Sequence, residues 1–347
     1  MTCETNIIVL FCAQRKYKLP LLAHLYLCAM SIIGTDIILA KKALEAAQLV
    51  GIPTETVYGL AANALNEQAV LSVFSAKNRP FFDPLIVHIA GIEQLGLYTE
   101  AVDPRLLRLA ESFWPGPLTL LLPKKEIVPG IVTSGLPRVA IRVPNHPLSL
   151  ALLKNLSFPL AAPSANPFGY VSPTTAQHVQ AQMGDKVAYI LDGGACEVGL
   201  ESTIVGLEEN KLCVYRLGGL SIEAIEQVAG KVEMALNVSS DPRAPGQLKN
   251  HYAPRKPLYL GDVTRLAKEH AGKKIALIEF GKHSYSFHIQ ARFQLSETEN
   301  LQEAALNLFS ALRHADESDA DIVLVSPVAE QDLGRAINDR LRRASVR

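Results

Sequence analysis

The sequence has little cysteine, and no two cysteines stand in CxxC spacing. Five cysteines are scattered over 347 residues. This scatter argues against both a disulfide framework and a structural zinc site. We therefore expect a reducing, cytoplasmic compartment.

The sequence also lacks a net charge and the common nucleotide-binding motifs. Lys plus Arg and Asp plus Glu both number 34, so there is no bulk basic field to hold nucleic acid and no acidic tail. Neither a GxxxxGK[ST] loop nor a GxGxxG fingerprint occurs. Any polyanion must therefore be bound locally.

No apolar run reaches the roughly 20 residues of a membrane span, and we expect no association with a membrane. Two apolar stretches near the start, IIVLFC and LPLLAHLYLCA, are separated by the basic QRKYK. A basic stretch before an apolar one also fits a cleaved export signal, although no clear small-residue cleavage site follows. Because a domain begins naturally at Met30, we interpret residues 1–29 as an extension with little structural role.

The following part of the chain alternates helical and strand patterns. Apolar residues recur at helical spacing in IILAKKALEAAQLV, NEQAVLSVFSAK and VDPRLLRLAESF. Between and after them lie short β-rich runs closed by Gly or Pro: PLIVHIA, LTLLLP, VAIRVP, PLAAPSA, VAYILDGG, ESTIVGL and CVYRLG. We predict a mixed α/β domain over residues 30–238.

The composition changes after this domain. Residues 239–257 include four prolines and show no apolar periodicity, which predicts a linker. Since the linker also carries Lys249, His251 and Tyr252, we expect it to close over a site. The strand patterns KPLYLGDV, KKIALIEF and ADIVLVSP and the amphipathic LQEAALNLFSALRHAD then predict a small α/β domain over residues 258–347.

Lys77 and Arg79 of SAKNRP are the sharpest candidates for a functional site. They stand two residues apart at the end of a helical pattern and just before Pro80. One ammonium and one bidentate guanidinium there suit a single anion. An ordinary solvated helix end, whose cations meet the helix dipole, explains the pattern equally well.

Other candidates lie in loops or at strand ends. Arg138 and Arg142 alternate at strand spacing, so that one strand face would carry two guanidinium groups. His88 lies within an apolar strand pattern, where a core histidine is the commoner interpretation. The remaining candidates are polar residues of turns or Gly-rich segments and one further arginine: Thr54, Ser164, Asn166, Ser172, Ser202 and Arg216.

Candidate cations outnumber candidate nucleophiles, and no Ser/His/Asp or Cys/His set is evident. This balance favours transfer at phosphorus, which depends mainly on positioning and on neutralising charge. An RNA-binding module that grips a backbone without chemistry, and a purely structural partner protein, are the alternatives.

Several ordered motifs resemble those of the threonylcarbamoyl-AMP synthase family in its long form. They are TETVYGL, SAKNRP, PLIVHI, PSAN, SPTT, ESTIV, YRLGG and APGQLKNHYAP. The resemblance runs from about Ser31 to the end and includes the split KxR and SxN signature. The linker departs from the family pattern SPGMKxxHYAP at Ala244 and Gln247.

The resemblance implies a fold, a reaction and partners. The fold is a YrdC-like twisted mixed sheet plus a small C-terminal α/β domain joined by an ordered linker. The reaction converts L-threonine, bicarbonate and ATP, with Mg²⁺, to threonylcarbamoyl-AMP and pyrophosphate. A downstream tRNA-modifying transferase complex would use this product, with at most weak contact to tRNA by this chain. A carbamoyl-adenylating maturation enzyme is a further alternative, although its zinc-binding cysteine patterns are absent.

The resemblance also assigns roles to residues. Lys77 and Arg79 would be catalytic. Threonine would contact Thr54, His88, Arg142 and Ser202, and no dedicated metal cage is expected from the protein. The nucleotide would contact Lys77, Arg79, Arg138, Ser164, Asn166, Ser172, Arg216 and His251.

Overall fold

The computed structural model describes residues 32–236, 244–247 and 251–345. The expectations for residues 1–29 and for Lys249 lie outside the described residues. The strands of a first sheet fall between residues 32 and 234, and those of a second sheet between 258 and 325. The exact domain and linker boundaries stay predictions.

The first sheet mixes parallel and antiparallel pairs. Its eleven strands in the described residues, β1 to β11, are Ile32–Gly34, Val50–Ile52, Gly59–Asn63, Ile86–His88, Leu118–Pro123, Arg138–Arg142, Leu160–Ala161, Tyr189–Leu191, Thr203–Glu208, Lys211–Arg216 and Glu233–Met234. They lie in the order β1-β8-β2-β3-β7-β4-β6-β5-β9-β10-β11. Strands β4 and β6 are parallel, whereas β3 and β7 are antiparallel. The predicted mixed sheet is thus confirmed.

Seven α-helices accompany this sheet in the described residues. They are α1 to α7: Ile37–Glu45, Glu67–Lys77, Leu95–Tyr98, Pro104–Phe113, Pro147–Lys154, Ala176–Met183 and Ile222–Ala229. Five of them begin at a polar N-cap whose side chain accepts a backbone hydrogen bond, as Asn66 does from Ala69 at the start of α2. Helix α2 ends at Lys77, and Asn78 follows in the left-handed conformation that commonly ends helices.

The second sheet is parallel throughout. Its strands in the described residues, β12 to β15, are Leu258–Leu260, Ile275–Phe280, Ala291–Ser296 and Ile322–Val325, in the order β12-β15-β13-β14. Helices α8, Val263–Glu269, and α9, Leu301–Glu317, connect the strands, and α10, Gly334–Ala344, ends the described chain. The helix at residues 301–317 and three of these strands match the sequence patterns, whereas β14, α8 and α10 were not predicted.

The two sheets share one hydrophobic core. Leu200 and Leu217 of the first region and Leu308 and Phe309 of α9 belong to the same buried cluster. The second region is therefore packed against the loops of the first rather than attached only through the linker. Over the part of the chain that the structure describes, no helix has the length and apolarity needed to cross a membrane.

Candidate active site

A cavity lies where central strands of the first sheet end. His88 and Arg142 are partners in register at the ends of parallel strands β4 and β6. The cavity is small, with about 50 Å³ of space open to a water-sized molecule. Polar and charged residues in its lining are Thr54, Thr56, Arg79, His88, Arg142, Ser164, Glu201, Ser202, Arg216, His251 and Tyr252.

The turn after β2 brings two threonine hydroxyls together. Thr54 Oγ1 donates to the carbonyl of Val57 at 2.6 Å and lies 2.8 Å from Thr56 Oγ1. Thr56 Oγ1 in turn accepts a hydrogen bond from Arg142 Nη1 at 2.9 Å. The turn residues therefore hold one another and Arg142 at the cavity wall.

Arg142 is already paired with a carboxylate. Its Nη2 lies 2.6 Å from Glu55 Oε1, and both side chains are buried. Glu55 Oε2 accepts a hydrogen bond from the backbone of Asn145 at 3.0 Å. The guanidinium is therefore held in place on one side and faces the cavity on another.

His88 stands beside Arg142 as a neutral group. Burial, and then the nearby Arg142, lower the pKa of His88 to about 3. Within the described residues its buried Nδ1 has no hydrogen-bond partner. An imidazole in this state is suited to hydrogen-bond a ligand without adding charge to the site.

Lys77 and Arg79 do not form a solvated helix end. Lys77 is 1% exposed and Arg79 is 8% exposed. Lys77 Nζ donates to the carbonyls of Ser164 and Asn166, each at 2.5 Å. These contacts join the KxR and SxN segments. In the chain, Lys77 is 87 residues from Ser164 and 89 residues from Asn166.

Arg79 is oriented by the residues that follow it. Its Nη2 pairs with Asp83 Oδ2 at 2.8 Å, and it donates to the carbonyls of Asp83 and Pro84 at 3.0 Å and 2.8 Å. Burial lowers the pKa of Arg79, and burial together with the charge of Arg79 lowers that of Lys77. Two buried cations that crowd each other favour the binding of an anion.

Ser202 and Arg216 form the next wall. Arg216 donates to the carbonyl of Ser202 at 2.8 Å and 3.0 Å and to its hydroxyl at 3.0 Å. The Ser202 hydroxyl also lies 2.6 Å from Thr119 Oγ1. Burial lowers the pKa of Arg216 to about 10, which places a further electrostatically strained cation at the cavity.

Four of the predicted residues stand outside this lining. Lys77 donates to the carbonyl of Ser164, which does line the cavity, and the Asn166 amide donates to the carbonyls of Pro167 and Tyr170 at 2.8 Å and 2.9 Å. Ser172 donates to Glu201 Oε1 at 2.6 Å. Their nucleotide contacts stay predictions.

Arg138 is the fourth. It lies at the start of β6, where its Nη1 donates to the hydroxyl of Tyr215 at 2.8 Å and to the carbonyl of Leu207 at 3.0 Å. The two arginines of β6 are therefore not gathered at one wall of the cavity. The contact of Arg138 with ATP stays a prediction.

The described part of the linker lies against the cavity. Pro245, Gly246, His251 and Tyr252 all line it. Gln247, which stands where the family pattern has Met, donates from Nε2 to the carbonyls of Tyr215 and Ala235 at 3.1 Å and 3.2 Å. The departure from the pattern thus replaces an apolar side chain with one that fastens the linker by hydrogen bonds.

Comparisons with known proteins agree with this geometry. A family model described as "Telomere recombination" matches residues 42–218, and the model of the "Threonylcarbamoyl-AMP synthase, C-terminal domain" matches residues 220–346. The threonylcarbamoyl-AMP synthase of Pyrococcus abyssi is 42% identical, with 88% of this chain and 93% of the relative covered. The chain belongs to the threonylcarbamoyl-AMP synthase family.

Further members of the synthase family support this assignment. That of Bacillus subtilis is 37% identical, with 88% of this chain and 92% of the relative covered. The crystal structure of P. abyssi Sua5 complexed with L-threonine has a TM-score of 0.85 and 39% identity, with 91% of this chain and 97% of that chain covered. Both regions of the fold are therefore those of the long synthases.

Sequence patterns did not single out every residue that shapes the synthase site. Glu55 and Asp83 hold Arg142 and Arg79, and the C-terminal Arg340 pairs with Glu201 at 2.9 Å. Ile337, Leu341 and Ala344 recur at helical spacing, a signal that could have marked α10 as a partly buried helix. Glu201, the partner of Arg340, lies 139 residues earlier in the chain, and no local sequence pattern reveals this pairing.

Proposed function

We propose that the chain is a threonylcarbamoyl-AMP synthase, an enzyme that transfers an adenylyl group from ATP to N-carboxy-threonine. The observation that carries this proposal is the family membership over nearly the whole chain, with 42% identity to a synthase. The cavity supports it, because buried Arg79, Arg142 and Arg216 line the space that two anionic substrates would share. Buried Lys77 contacts the carbonyl of Ser164 in its wall.

Threonine is assigned to the Arg142 wall. We expect the threonine carboxylate to accept hydrogen bonds from Arg142, with neutral His88 beside it. The hydroxyl of Thr54 or Ser202 would recognise the threonine hydroxyl. A site that hydrogen-bonds a substrate hydroxyl discriminates strongly against analogues that lack it, so valine would be rejected more strongly than serine.

The reaction has two steps. The neutral threonine amine adds to the carbon of bicarbonate, the proton that nitrogen loses leaves with the displaced hydroxide as water, and a carbamate results. A carbamate oxygen then attacks the α-phosphorus of ATP, the bond from that phosphorus to the bridging oxygen breaks, and pyrophosphate leaves. The protein contributes by holding both anions in contact.

Lys77 and Arg79 are assigned to the charge that gathers in the second step. Two unit charges of the same sign 4 Å apart repel by roughly 4 kcal/mol at an effective dielectric near 20. Burial lowers the pKa of both cations, and the charge of Arg79 lowers that of Lys77 further, so an anion beside them would be bound favourably.

Mg²⁺ is assigned to the nucleotide rather than to a protein cage. No group of three or more His, Cys, Asp or Glu side chains in the described residues could hold a metal ion. Glu201, the acidic residue that lines the cavity, is paired with Arg340. The ion would enter with the ATP phosphates and shield their charge, with water as its other ligands.

The product would be a mixed anhydride of a carbamic and a phosphoric acid. Such an anhydride is consumed by transfer of its carbamoyl group to an amine. We propose that a tRNA-modifying transferase complex transfers the threonylcarbamoyl group to an adenosine beside the anticodon. Contact of this chain with tRNA would be weak, because the chain carries no net charge. A cytoplasmic location is proposed from the scattered cysteines, of which Cys196 and Cys213 are free.

The decisive experiment incubates the purified protein with ATP, Mg²⁺ and labelled bicarbonate, with threonine, serine or valine in turn. We expect pyrophosphate release that depends on threonine and label that appears in the adenylate. Pyrophosphate release that is indifferent to threonine would refute the proposal. Tight tRNA binding without turnover would favour an RNA-binding module.

A further inference from the structure

The last helix inserts a fully buried arginine into the first region. Arg340 of α10 is 0% exposed. Its Nε donates to Glu201 Oε2 at 2.9 Å, its Nη2 to the carbonyl of Leu217 at 2.8 Å, and its Nη1 to Asp339 Oδ2 at 2.8 Å. All three nitrogens of the guanidinium are therefore engaged, two of them with residues of the catalytic region.

Glu201, which lines the cavity, passes this contact on to Ser172. Its other oxygen, Oε1, accepts the hydroxyl hydrogen of Ser172 at 2.6 Å. Burial alone raises the pKa of the Glu201 carboxyl, but the charges of Arg340 and Arg216 and the Ser172 hydroxyl lower it below its ordinary value. Glu201 is thus a fixed, ionised acceptor.

The orientation of Ser172 follows from this carboxylate. Because its proton is donated to Glu201, the Ser172 oxygen has lone pairs to offer and no hydrogen. It is therefore an acceptor for a donor group on a ligand. The ribose hydroxyls and the adenine amino group of ATP are such donors, whereas the phosphates are not.

The same helix also contacts the linker. The Arg340 guanidinium lies over the ring of Tyr252, 4.9 Å from its centroid, and Tyr252 lines the cavity. Three residues further along, Arg343 Nη1 donates to the carbonyl of Gly246. Both described pieces of the linker that face the cavity are therefore tied to α10.

We infer that Arg340 is a positioning residue for the nucleotide, which it serves by fixing Glu201 and, through it, the accepting orientation of Ser172. This inference rests on the proposed function for its substrate. It makes the C-terminal region a necessary part of the ATP site, although that region contributes no residue to the wall formed by Arg142 and His88.

The test uses the full-length protein with Arg340→Met and Arg340→Lys. The control is Arg335→Met, which breaks the other ion pair of α10 with the catalytic region, Arg335 to Glu223 at 2.6 Å, outside the cavity lining. For Arg340→Met we expect the KM for ATP to rise roughly ten- to hundredfold, the size of a lost charged hydrogen bond. The KM for threonine should stay within about twofold, Arg340→Lys should be intermediate, and the control should match the wild type.

A double variant separates positioning from general support of the fold. If Arg340 acts through Ser172, the ATP defect of Arg340→Met combined with Ser172→Ala should be no larger than that of the worse single variant. The inference would be overturned if the increases in KM for ATP of the two single variants multiplied in the double variant. It would also be overturned if Arg340→Met raised the KM for ATP and the KM for threonine equally. If circular dichroism shows that Arg340→Met does not fold, a wild-type KM for ATP in Arg340→Lys would overturn it.

A binding measurement keeps the inference independent of turnover. The dissociation constant of the α,β-methylene analogue of ATP, measured by calorimetry, should rise in Arg340→Met by the same factor as the KM. If the wild type makes no threonine-dependent pyrophosphate, the proposed function fails. The analogue still tests Arg340 in that case, and unchanged affinity would refute its role.

Discussion

Nη2 of Arg142 lies 2.6 Å from Oε1 of Glu55, and both side chains are about 4% exposed. Removing one partner of a buried ion pair leaves an uncompensated charge and typically costs about 3–5 kcal/mol. We expect Glu55→Gln to lower the free energy of unfolding by that order, as measured by denaturant titration.

L-threonine should stabilise Glu55→Gln more than it stabilises the wild type, because its carboxylate would supply the missing anion. The matched control is Glu45→Gln, which removes an exposed partner of Lys41 at 3.7 Å and should change stability by less than about 1 kcal/mol. Wild-type stability in Glu55→Gln would show that the buried pair contributes nothing.

Lys77→Met should lower kcat/KM for ATP by roughly 10²–10³-fold, the usual loss for a group that stabilises transition-state charge. Lys186→Met is the control, because the exposed Lys186 also donates to a backbone carbonyl of α2, that of Ala76, at 3.1 Å. Steady-state pyrophosphate release measures both variants. Similar rates for the two would mean that Lys77 only fastens the loop at Ser164 and Asn166.

Acid should destabilise the wild type partly through His88. Its pKa is about 3 in the folded state against 6.5 ordinarily, so between these values the unfolded state binds more protons and stability falls as pH falls. From pH 7 to pH 4.5 the wild type should lose about 2–3 kcal/mol relative to His88→Gln. Denaturant titration at several pH values in this range measures the free energy of unfolding. The control is His288→Gln, at an exposed position, whose stability should change with pH as that of the wild type does.

Gly246 is expected to tolerate no side chain. Its φ is 75°, and a Cβ would lie 3.1 Å from Nη1 and 3.2 Å from Cδ of Arg216. Gly246→Ala should therefore displace Arg216 and raise the KM for ATP several-fold. Gly272→Ala, at φ 86° with nothing within 4 Å, carries a similar backbone strain and should leave the kinetics unchanged.

Removal of divalent cations should stop pyrophosphate release, and Mg²⁺ should restore it. Because Mg²⁺ is assigned to the ATP phosphates, calorimetry should detect no Mg²⁺ binding to the nucleotide-free protein. Tight binding of Mg²⁺ without nucleotide would contradict that assignment and would point to protein ligands.

The sequence by itself determined most of the local structure. Helix α2 ends at Lys77, as the apolar spacing and Pro80 predict, and β4, β6 and β9 begin and end close to the predicted runs. Local patterns succeed here because hydrophobic periodicity and turn residues act over a few positions. The motif order also sufficed to identify the family, since eight short motifs fall in one sequence in the expected order.

Only the tertiary structure decided which polar groups meet. At the sequence level Lys77 and Arg79 fitted a solvated helix end as well as an anion site, and the fold buries both beside Ser164. Arg138 and Arg142 share a strand, yet Arg142 alone of the two lines the cavity. Arg340 reaches Glu201 across 139 residues. Burial and charge pairing arise from packing between distant segments, and the chain's local pattern carries no record of them.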